Sequence, residues 1–172
     1  MSEAMKVLME RRSVRSYKAE QVPEETVKEI LNAGLYAASG MGQQPTKMVV
    51  VREKQLVKKL SKMNAEIMGT DGDPFYGAPM VIVVFADTAR PTCVEDGSLV
   101  MGNLMNAAYA LGVDSCWIHR AKEMFELEEG KALKAAWGIP ETYTGIGNCI
   151  LGYCNGEYPA AKERKADRVI WA

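Results

Sequence analysis

The sequence is short of the residues that build metal centres and lacks the runs that cross membranes. It contains one histidine and four cysteines in 172 residues, and no two cysteines form a C-x-x-C pair. This spacing matches neither a zinc nor an iron–sulfur site, so we expect reduced thiols and no bound metal. No apolar run approaches the roughly 20 residues that span a bilayer, and charged residues occupy the N-terminus where a signal peptide is apolar. These absences predict a cytoplasmic protein with no membrane partner.

The chain also lacks an excess charge of either sign. Its 21 basic and 22 acidic residues give a formal net charge of −1, and the basic residues are not interleaved with aromatic ones along a groove. Such a chain has no field to attract nucleic acid, so we expect no nucleic-acid partner and only local basic sites. Its 48% hydrophobic content is enough for a core. We expect a single domain over residues 1–172.

Helical and strand patterns alternate along the chain. By itself this alternation favours a parallel α/β sheet, although no G-x-G-x-x-G motif follows a strand. Glycines and prolines predict loops at Ala38–Pro45 and Gly69–Pro79. Apolar spacing predicts helices at 3–11, from Pro23 to Ala38, around Leu56–Ile67, at 94–111 and at Leu127–Trp137, and apolar runs predict strands at Met48–Val51, Met80–Phe85, Ser115–His119 and Ile146–Tyr153.

Two segments carry more apolar surface than one sheet face explains. The helix at 94–111 is apolar over much of its circumference, so it needs two packing partners. One is its own sheet, and the other is either a second subunit or the interior of the same chain. The polar tail from Asn155 ends in Val169, Ile170 and Trp171, and we expect this tip to dock, a partner chain being one candidate.

The sharpest local feature is a basic cluster, Arg11-Arg12-Ser13-Val14-Arg15, at the end of the first predicted helix. Guanidinium groups bind phosphate bidentately, so the cluster predicts a site for a phosphate-bearing ligand. A second basic stretch, Lys162–Lys165, can converge on the same small anion. The alternatives are a solvated charge run for the first cluster and a solvated tail for the second.

The order of several motifs resembles the nitroreductase family over essentially the whole chain. Each motif is short, and the ordered set is far more specific than any one of them. The similar segments are Arg11–Tyr17 (flavin motif), Ser39–Pro45 (loop ending in Gln-Pro), Phe75–Pro79 before a strand, Leu104–Gly112 with Ser115–Ile118 (central helix and flavin-side strand), Ile150–Tyr153 (last core strand) and Lys162–Arg164 (C-terminal phosphate motif).

This resemblance implies an α+β nitroreductase-like fold, with a mixed central sheet packed with helices, and it replaces the parallel-sheet prediction. It also implies an intertwined homodimer with two FMN molecules at the subunit interface. Arg11, Lys162 and Arg164 are then expected to hold the FMN phosphate. Arg12 and Ser13 contact the phosphate and ribityl hydroxyls or the pyrimidine edge, and Arg15 approaches the N1/O2 edge, where a cation stabilises anionic reduced flavin. From the other subunit, the expected contacts along the dimethylbenzene and ribityl side are Ser39, Gly40, Met41, Gly42 and Gln44.

Further expectations concern the faces of the flavin. The resemblance places Trp117, Ile118, His119 and Arg120 along one face, with the main-chain N–H near His119 or Arg120 directed at N5. Since a backbone donor needs no particular side chain, we assign no catalytic residue, and His119 is expected to be structural or exposed. The substrate face is expected to be gated by Phe75 and Tyr76.

The sequence departs from the family pattern in three places. Gly42 stands where asparagine is common, and Ser39-Gly40 replaces a Pro-Ser or Ser-Ser pair. The segment Asp71–Pro74 lacks the asparagine and lysine that reach the pyrimidine in larger members, so pyrimidine recognition is left open.

The function implied is that of a flavoprotein oxidoreductase. It takes hydride from NADH or NADPH and passes electrons to a nitroaromatic, quinone or similar acceptor by a ping-pong mechanism. Two alternatives remain. One is an FMN-dependent dehalogenase or dehydrogenase of the same fold with a specific substrate of its own, and the other is a protein that binds FMN without turnover.

Overall fold

Six α-helices and four β-strands make up the fold, and the computed structural model covers residues 1–172. A short 3-10 turn at Gly40–Gly42 follows the second helix. The helices are α1 (Glu3–Glu10), α2 (Glu24–Leu35), α3 (Lys54–Met68), α4 (Cys93–Ala110), α5 (Ala121–Glu126) and α6 (Glu128–Ala136), and the strands are β1 (Thr46–Val51), β2 (Met80–Asp87), β3 (Asp114–Ile118) and β4 (Tyr143–Gly152).

The predicted elements are confirmed to within a few residues at most ends. Gly112 adopts a left-handed φ of +73° just after α4, the conformation expected of a glycine that ends a helix. The sequence did not predict α5, because its six residues are too few for a helical period to show. None of the helices combines the length and apolar character that crossing a bilayer requires.

The four strands form one sheet in the order β1-β2-β4-β3, and all three neighbouring pairs are antiparallel. Parallel pairing is limited to a single bridge between Ser13 and Ser115, at the free edge of β3. The α+β class is therefore confirmed, and the sheet is more antiparallel than the mixed sheet we expected. A register shift between Val84 and Phe85 interrupts the pairing of β2 with β4.

Helices cover both faces of the sheet, so every residue of β2 from Met80 to Ala86 is buried. Successive side chains of a strand point to opposite faces. Val81 and Val83 accordingly pack in the cluster that contains residues of α3 and α5, while Ile82 and Val84 pack in the cluster that contains residues of α2 and α4. The two clusters form the two halves of the core.

Two terminal segments leave apolar side chains uncovered within one chain. Helix α1 has no buried residue, and Leu8 and Met9 on it are 61% and 56% exposed. Residues 155–172 form no helix or strand, and Ile170 and Trp171 at their end are 89% and 94% exposed. Apolar surface of this extent on an otherwise packed protein marks an interaction site.

Candidate functional site

The N-terminal segment that follows α1 runs along the free edge of β3. Val14 donates its backbone N–H to the carbonyl of Ser115 at 3.1 Å, and Tyr17 forms an isolated antiparallel bridge with Cys154. This pairing fixes the position of the whole arginine cluster, because the residues on either side of Val14 must follow the strand edge. The cluster therefore lies beside β3.

Two guanidinium nitrogens of this cluster are buried without a hydrogen-bond partner: Nη1 of Arg11 and Nε of Arg12. The Nη1 atom of Arg12 is already engaged, since it donates to the carbonyls of Met9 and Arg11 at 2.8 Å each and so closes the end of α1. Arg15 is exposed, and its Nη1 lies 3.4 Å from the carbonyl of Ser13. A buried cationic donor without a partner is costly, and an anionic ligand would supply one.

Three residues of this cluster affect the pKa of the Cys116 thiol on β3. Burial raises its pKa, while the nearby Arg15 guanidinium, the hydrogen bond with Ser13 and the Arg11 guanidinium act in the opposite direction. A cation lowers the pKa of a thiol only at short range. Arg11, Ser13 and Arg15 therefore lie near the Cys116 thiol.

The start of the C-terminal tail docks against the same cluster. The Arg12 backbone N–H donates to the Tyr158 hydroxyl at 2.8 Å, and the Tyr158 ring lies 6.1 Å from that of Tyr109 near the end of α4. Beyond this anchor, Lys162 and Arg164 are exposed and have no hydrogen bond or ion pair within the chain. No hydrogen bond or ion pair therefore fixes the position of these two side chains within one chain.

The end of β3 presents two free backbone donors. The N–H groups of His119 and Arg120 donate to no group of the chain, and Arg120 has a left-handed φ of +72° that turns the chain sharply into α5. His119 is exposed and Ile118 is buried. Half-buried Trp117 faces the α4 side, where it lies close to Gly147. Adjacent unpaired N–H groups at a strand end can bind an acceptor atom of a ligand.

The glycine-containing loop before β1 is built on the first turn of α4. Asp96, only 3% exposed, accepts the Gly40 backbone N–H at 2.8 Å and the Thr92 hydroxyl at 2.9 Å. A Cβ atom on Gly40 would lie 2.4 Å from the Thr92 oxygen, so the close approach requires glycine. Ser39 accepts the backbone N–H of Gln44 at 3.0 Å. The same loop presents Met41, 95% exposed with a left-handed φ of +53°, and the exposed Gly42.

These two groups of predicted cofactor residues lie at opposite ends of α4. The loop is attached at Asp96, whereas the arginine cluster reaches α4 through Tyr158 and Tyr109. At a rise of 1.5 Å per residue, the two attachment points are about 20 Å apart along the helix axis. Within one chain they therefore belong to different patches.

The loop between α3 and β2 is organised by Asp73. Its carboxylate accepts the backbone N–H groups of Phe75 at 2.9 Å and Gly77 at 2.7 Å, and also the Ser61 hydroxyl. Phe75 is 1% exposed and packs in the core, which corrects the expectation that both aromatic rings face a substrate. Only Tyr76, with a left-handed φ of +54°, is exposed.

A cavity of about 640 Å³ lies between α3 and this loop. It is lined in part by Lys54, Lys58 and Lys62, which are spaced four residues apart on α3. Of the residues predicted from sequence to bind cofactor or substrate, only Phe75 borders it. The cavity is therefore not the place where the arginine cluster and the end of β3 meet.

Four residues that organise these patches were not predicted. Asp96 and Tyr158 hold the loop and the arginine cluster, and Asn64 and Asn148 donate to the carbonyl of His119. A signal existed for the asparagines, since each interrupts an apolar pattern: Asn148 lies inside the strand run, and Asn64 lies on the apolar stripe of α3. No local pattern singles out Asp96 or Tyr158.

The single antiparallel sheet with helices on both faces places this chain among the α+β proteins, and the edge of the sheet at β3 carries unpaired donors. The sequence profile of the nitroreductase family matches residues 8–71 and 67–153, and the chain belongs to this family. It is 33% identical to an Archaeoglobus fulgidus protein named "Putative NADH dehydrogenase/NAD(P)H nitroreductase", over 98% of this chain and 97% of that protein.

Solved structures agree. A nitroreductase with bound FMN from Bacteroides fragilis superposes with a TM-score of 0.92 at 26% identity, and the alignment covers 100% of both chains. A second FMN-bound nitroreductase, from Desulfitobacterium hafniense, gives a TM-score of 0.89 at 27% identity, over 100% of this chain and 99% of that one.

Proposed function

We propose that this protein is an FMN-dependent oxidoreductase that takes hydride from NAD(P)H and passes electrons to a small acceptor, such as a nitroaromatic compound or a quinone, in a ping-pong sequence. The observation that carries the proposal is the set of unpaired donors along β3: the buried nitrogens of Arg11 and Arg12 and the free N–H groups of His119 and Arg120. The relatives point the same way. A Bacillus subtilis protein named FMN reductase [NAD(P)H] is 32% identical over 52% of this chain.

The donor set fits a ligand with an anionic end and a ring bearing acceptor atoms. Arg11 binds the phosphate, with Lys162 and Arg164 contributed by a tail, and charge-assisted bonds of this kind are worth about 1.5–3 kcal/mol each. Arg15 follows Ser13 on the segment beside β3 and provides the cation for the N1/O2 edge of the ring. The backbone N–H groups at the strand end bind its N5 edge. Bound FMN supplies the hydride chemistry, while these residues orient it.

The complete site lies between two copies of the chain. The loop at Ser39–Gln44 cannot reach the arginine cluster of its own chain, since the two lie about 20 Å apart along α4. A second copy in an antiparallel arrangement brings its loop to the first copy's arginine cluster and does so twice by symmetry. The same association would cover Leu8 and Met9 of α1 and give the tail ending in Trp171 a surface to bind.

The acceptor and the nicotinamide are expected to bind on the exposed face of the ring in turn. Tyr76 is the aromatic residue available to line that face, because the ring of Phe75 is buried. The left-handed backbone of Tyr76 is held by the Asp73 turn, so its ring is presented from a fixed loop. Tyr76 therefore selects among flat acceptors by stacking rather than by charge.

The test is the visible absorption spectrum of the purified protein, recorded as isolated and after incubation with FMN and desalting. Anaerobic NADH or NADPH is then added to the same sample. We expect oxidised flavin bands that bleach on addition and return when a quinone is supplied.

The outcomes separate the candidates. Bands that are present and never bleach with either nicotinamide favour a flavin-binding protein without this activity. Bands that bleach but return only with some other acceptor class favour a dehalogenase or dehydrogenase. A protein that retains no flavin after desalting overturns the cofactor assignment.

A further inference from the structure

Two buried asparagines from different elements converge on one backbone carbonyl at the end of β3. Asn64 of α3 donates its Nδ2 to the His119 carbonyl at 2.7 Å. Asn148 of β4 donates to the same carbonyl at 3.4 Å and to that of Ile118 at 3.3 Å. Both asparagines are 0% exposed. The sulfur of Met124 lies 3.3 and 3.4 Å from the two Nδ2 atoms, so α5 closes the cluster from a third side.

The orientation of both amides follows from the carbonyl. Reversing either amide would place its oxygen, which cannot donate a hydrogen bond, against the His119 carbonyl oxygen. In the orientation observed, the two Oδ1 atoms are buried and have no partner. An unpaired buried acceptor destabilises the fold, whereas an apolar side chain of the same size does not. One amide is enough to satisfy the His119 carbonyl, so stability by itself does not explain why a second asparagine donates to it.

The carbonyl they hold belongs to the same peptide unit as the Arg120 N–H. A trans peptide is planar, and its C=O and N–H point in opposite directions. Fixing the His119 carbonyl from inside the core therefore fixes the direction of the Arg120 N–H, which points away from the asparagines and donates to no group of the chain. Hydrogen bonds to the carbonyl also polarise the peptide and make its N–H a stronger donor.

We propose that Asn64 and Asn148 are positioning residues that aim the Arg120 N–H at the hydride-accepting edge of the flavin ring and strengthen it as a donor. This inference rests on the proposed function. The residues act through the backbone and do not touch the cofactor. The left-handed conformation of Arg120 is held by the same clamp, because the chain on either side of the peptide is anchored to β4 and α5.

The experiment compares Asn64→Leu and Asn148→Leu with a matched control, Asn103→Leu. Asn103 of α4 also donates its amide to a backbone carbonyl, that of Ala33 at 2.9 Å, but on the other face of the sheet. The first readout is the ¹⁵N–¹H resonance of the Arg120 amide in the full chain without added flavin. The second and third are the ¹⁵N resonance of N5 in labelled FMN and the rate at which NAD(P)H reduces the bound flavin.

We expect both test variants to move the Arg120 amide resonance and to shift the N5 resonance downfield, as a weaker hydrogen bond requires. We expect the reduction rate to fall about tenfold, less than the 10²–10³ seen when such a donor is removed outright. The control should change none of the three. In Asn64→Asp, a protonated carboxyl can donate to the carbonyl again, so the reduction rate should recover as the pH falls, unlike that of the wild type.

Three results overturn the inference in different ways. An Arg120 resonance that is unmoved in both test variants shows that the asparagines do not set the peptide. A moved Arg120 resonance with unchanged N5 resonance and unchanged rate shows that this N–H does not act on the flavin. A wild-type protein that takes up no FMN overturns the proposed function and, with it, the contact to the ring.

Discussion

Gly130 of α6 lies directly against the backbone of α5, and Gly130→Ala tests how rigidly α5 is held. A Cβ atom there would lie 2.0 Å from the Met124 carbonyl oxygen and 2.7 Å from the Phe125 Cα. These are backbone atoms, so no side-chain rotation relieves the clash. The two helices must separate by about 1.4 Å for this Cβ–oxygen distance to reach ordinary van der Waals contact. Leu127 is the only residue between them, which leaves little slack for that movement.

Two opposing effects determine how much Gly130→Ala changes the unfolding free energy. Overpacking costs about 1–3 kcal/mol, and a clash with backbone places this variant near the upper end, while alanine returns about 1 kcal/mol of helix propensity. We expect the unfolding free energy to fall by about 2 kcal/mol, which corresponds to a melting temperature lower by about 4–8 °C for a chain of this length. The matched control is Gly102→Ala in α4, whose Cβ would meet no atom of the chain within 4 Å.

Urea unfolding followed by circular dichroism measures both variants. Gly130→Ala should lower the unfolding free energy without changing its dependence on urea concentration. Gly102→Ala should raise the unfolding free energy by about 0.5–1 kcal/mol. An unfolding free energy for Gly130→Ala equal to that of the wild type would refute the close packing of α5 on α6. Since Met124 contacts both Asn64 and Asn148, the same displacement should also slow reduction of bound flavin.

Three further predictions follow from individual residues. Arg11→Lys keeps the charge but loses the guanidinium group, so equilibrium dialysis should show FMN affinity reduced about tenfold or more. The control is Arg52→Lys, which should leave the affinity unchanged, because the Arg52 guanidinium donates to the Val22 carbonyl. Burial raises the pKa of Cys149 to about 12. In the unfolded chain the thiol titrates at about 8.5. The unfolding free energy should therefore fall by up to about 1.4 kcal/mol per pH unit above that value. In Cys149→Ala, urea unfolding at pH 9 and pH 10 should show a smaller decrease. Trp171→Ala should leave the unfolding free energy of the dilute monomer unchanged. It should weaken dimerisation about thirtyfold by sedimentation analysis, the effect of losing one tryptophan hot spot. An unchanged dimer dissociation constant would show that the tail is not part of the interface.

The fold was predictable wherever burial imposes a period on the sequence. Strand β2 is a nearly continuous apolar run, and most of β4 is buried, because helices cover both faces of the sheet. The direction of strand pairing was not predictable in this way, since a run buried on both faces reads the same in parallel and antiparallel sheets. Alternation of helices and strands suggested a parallel sheet, and the motif resemblance replaced that suggestion.

The site was predictable where a residue type is rare enough to stand out. Three arginines in five residues predict an anion site, and the structure places this segment beside β3 with a buried, unpaired guanidinium nitrogen on Arg11 and on Arg12. The burial of Phe75 was not predictable, because an aromatic residue between glycines and prolines looks like part of an exposed loop. It is buried because the carboxylate of Asp73 caps the turn and folds the ring inward, a contact that no local pattern encodes.

In the proposed function, a cofactor site divided between the two ends of α4 would link FMN binding to dimerisation. If the monomer carries only one half of the contacts, FMN binds the dimer in preference and stabilises it by RT ln(1 + [FMN]/Kd) for each site. At 100 times Kd this is about 2.7 kcal/mol per site, so two sites would lower the apparent dimer dissociation constant by about four orders of magnitude. Sedimentation at fixed protein concentration, with and without FMN, measures this shift. A dimer constant that does not respond to FMN would mean that each chain binds the cofactor by itself, and that the loop at Ser39–Gln44 has another role.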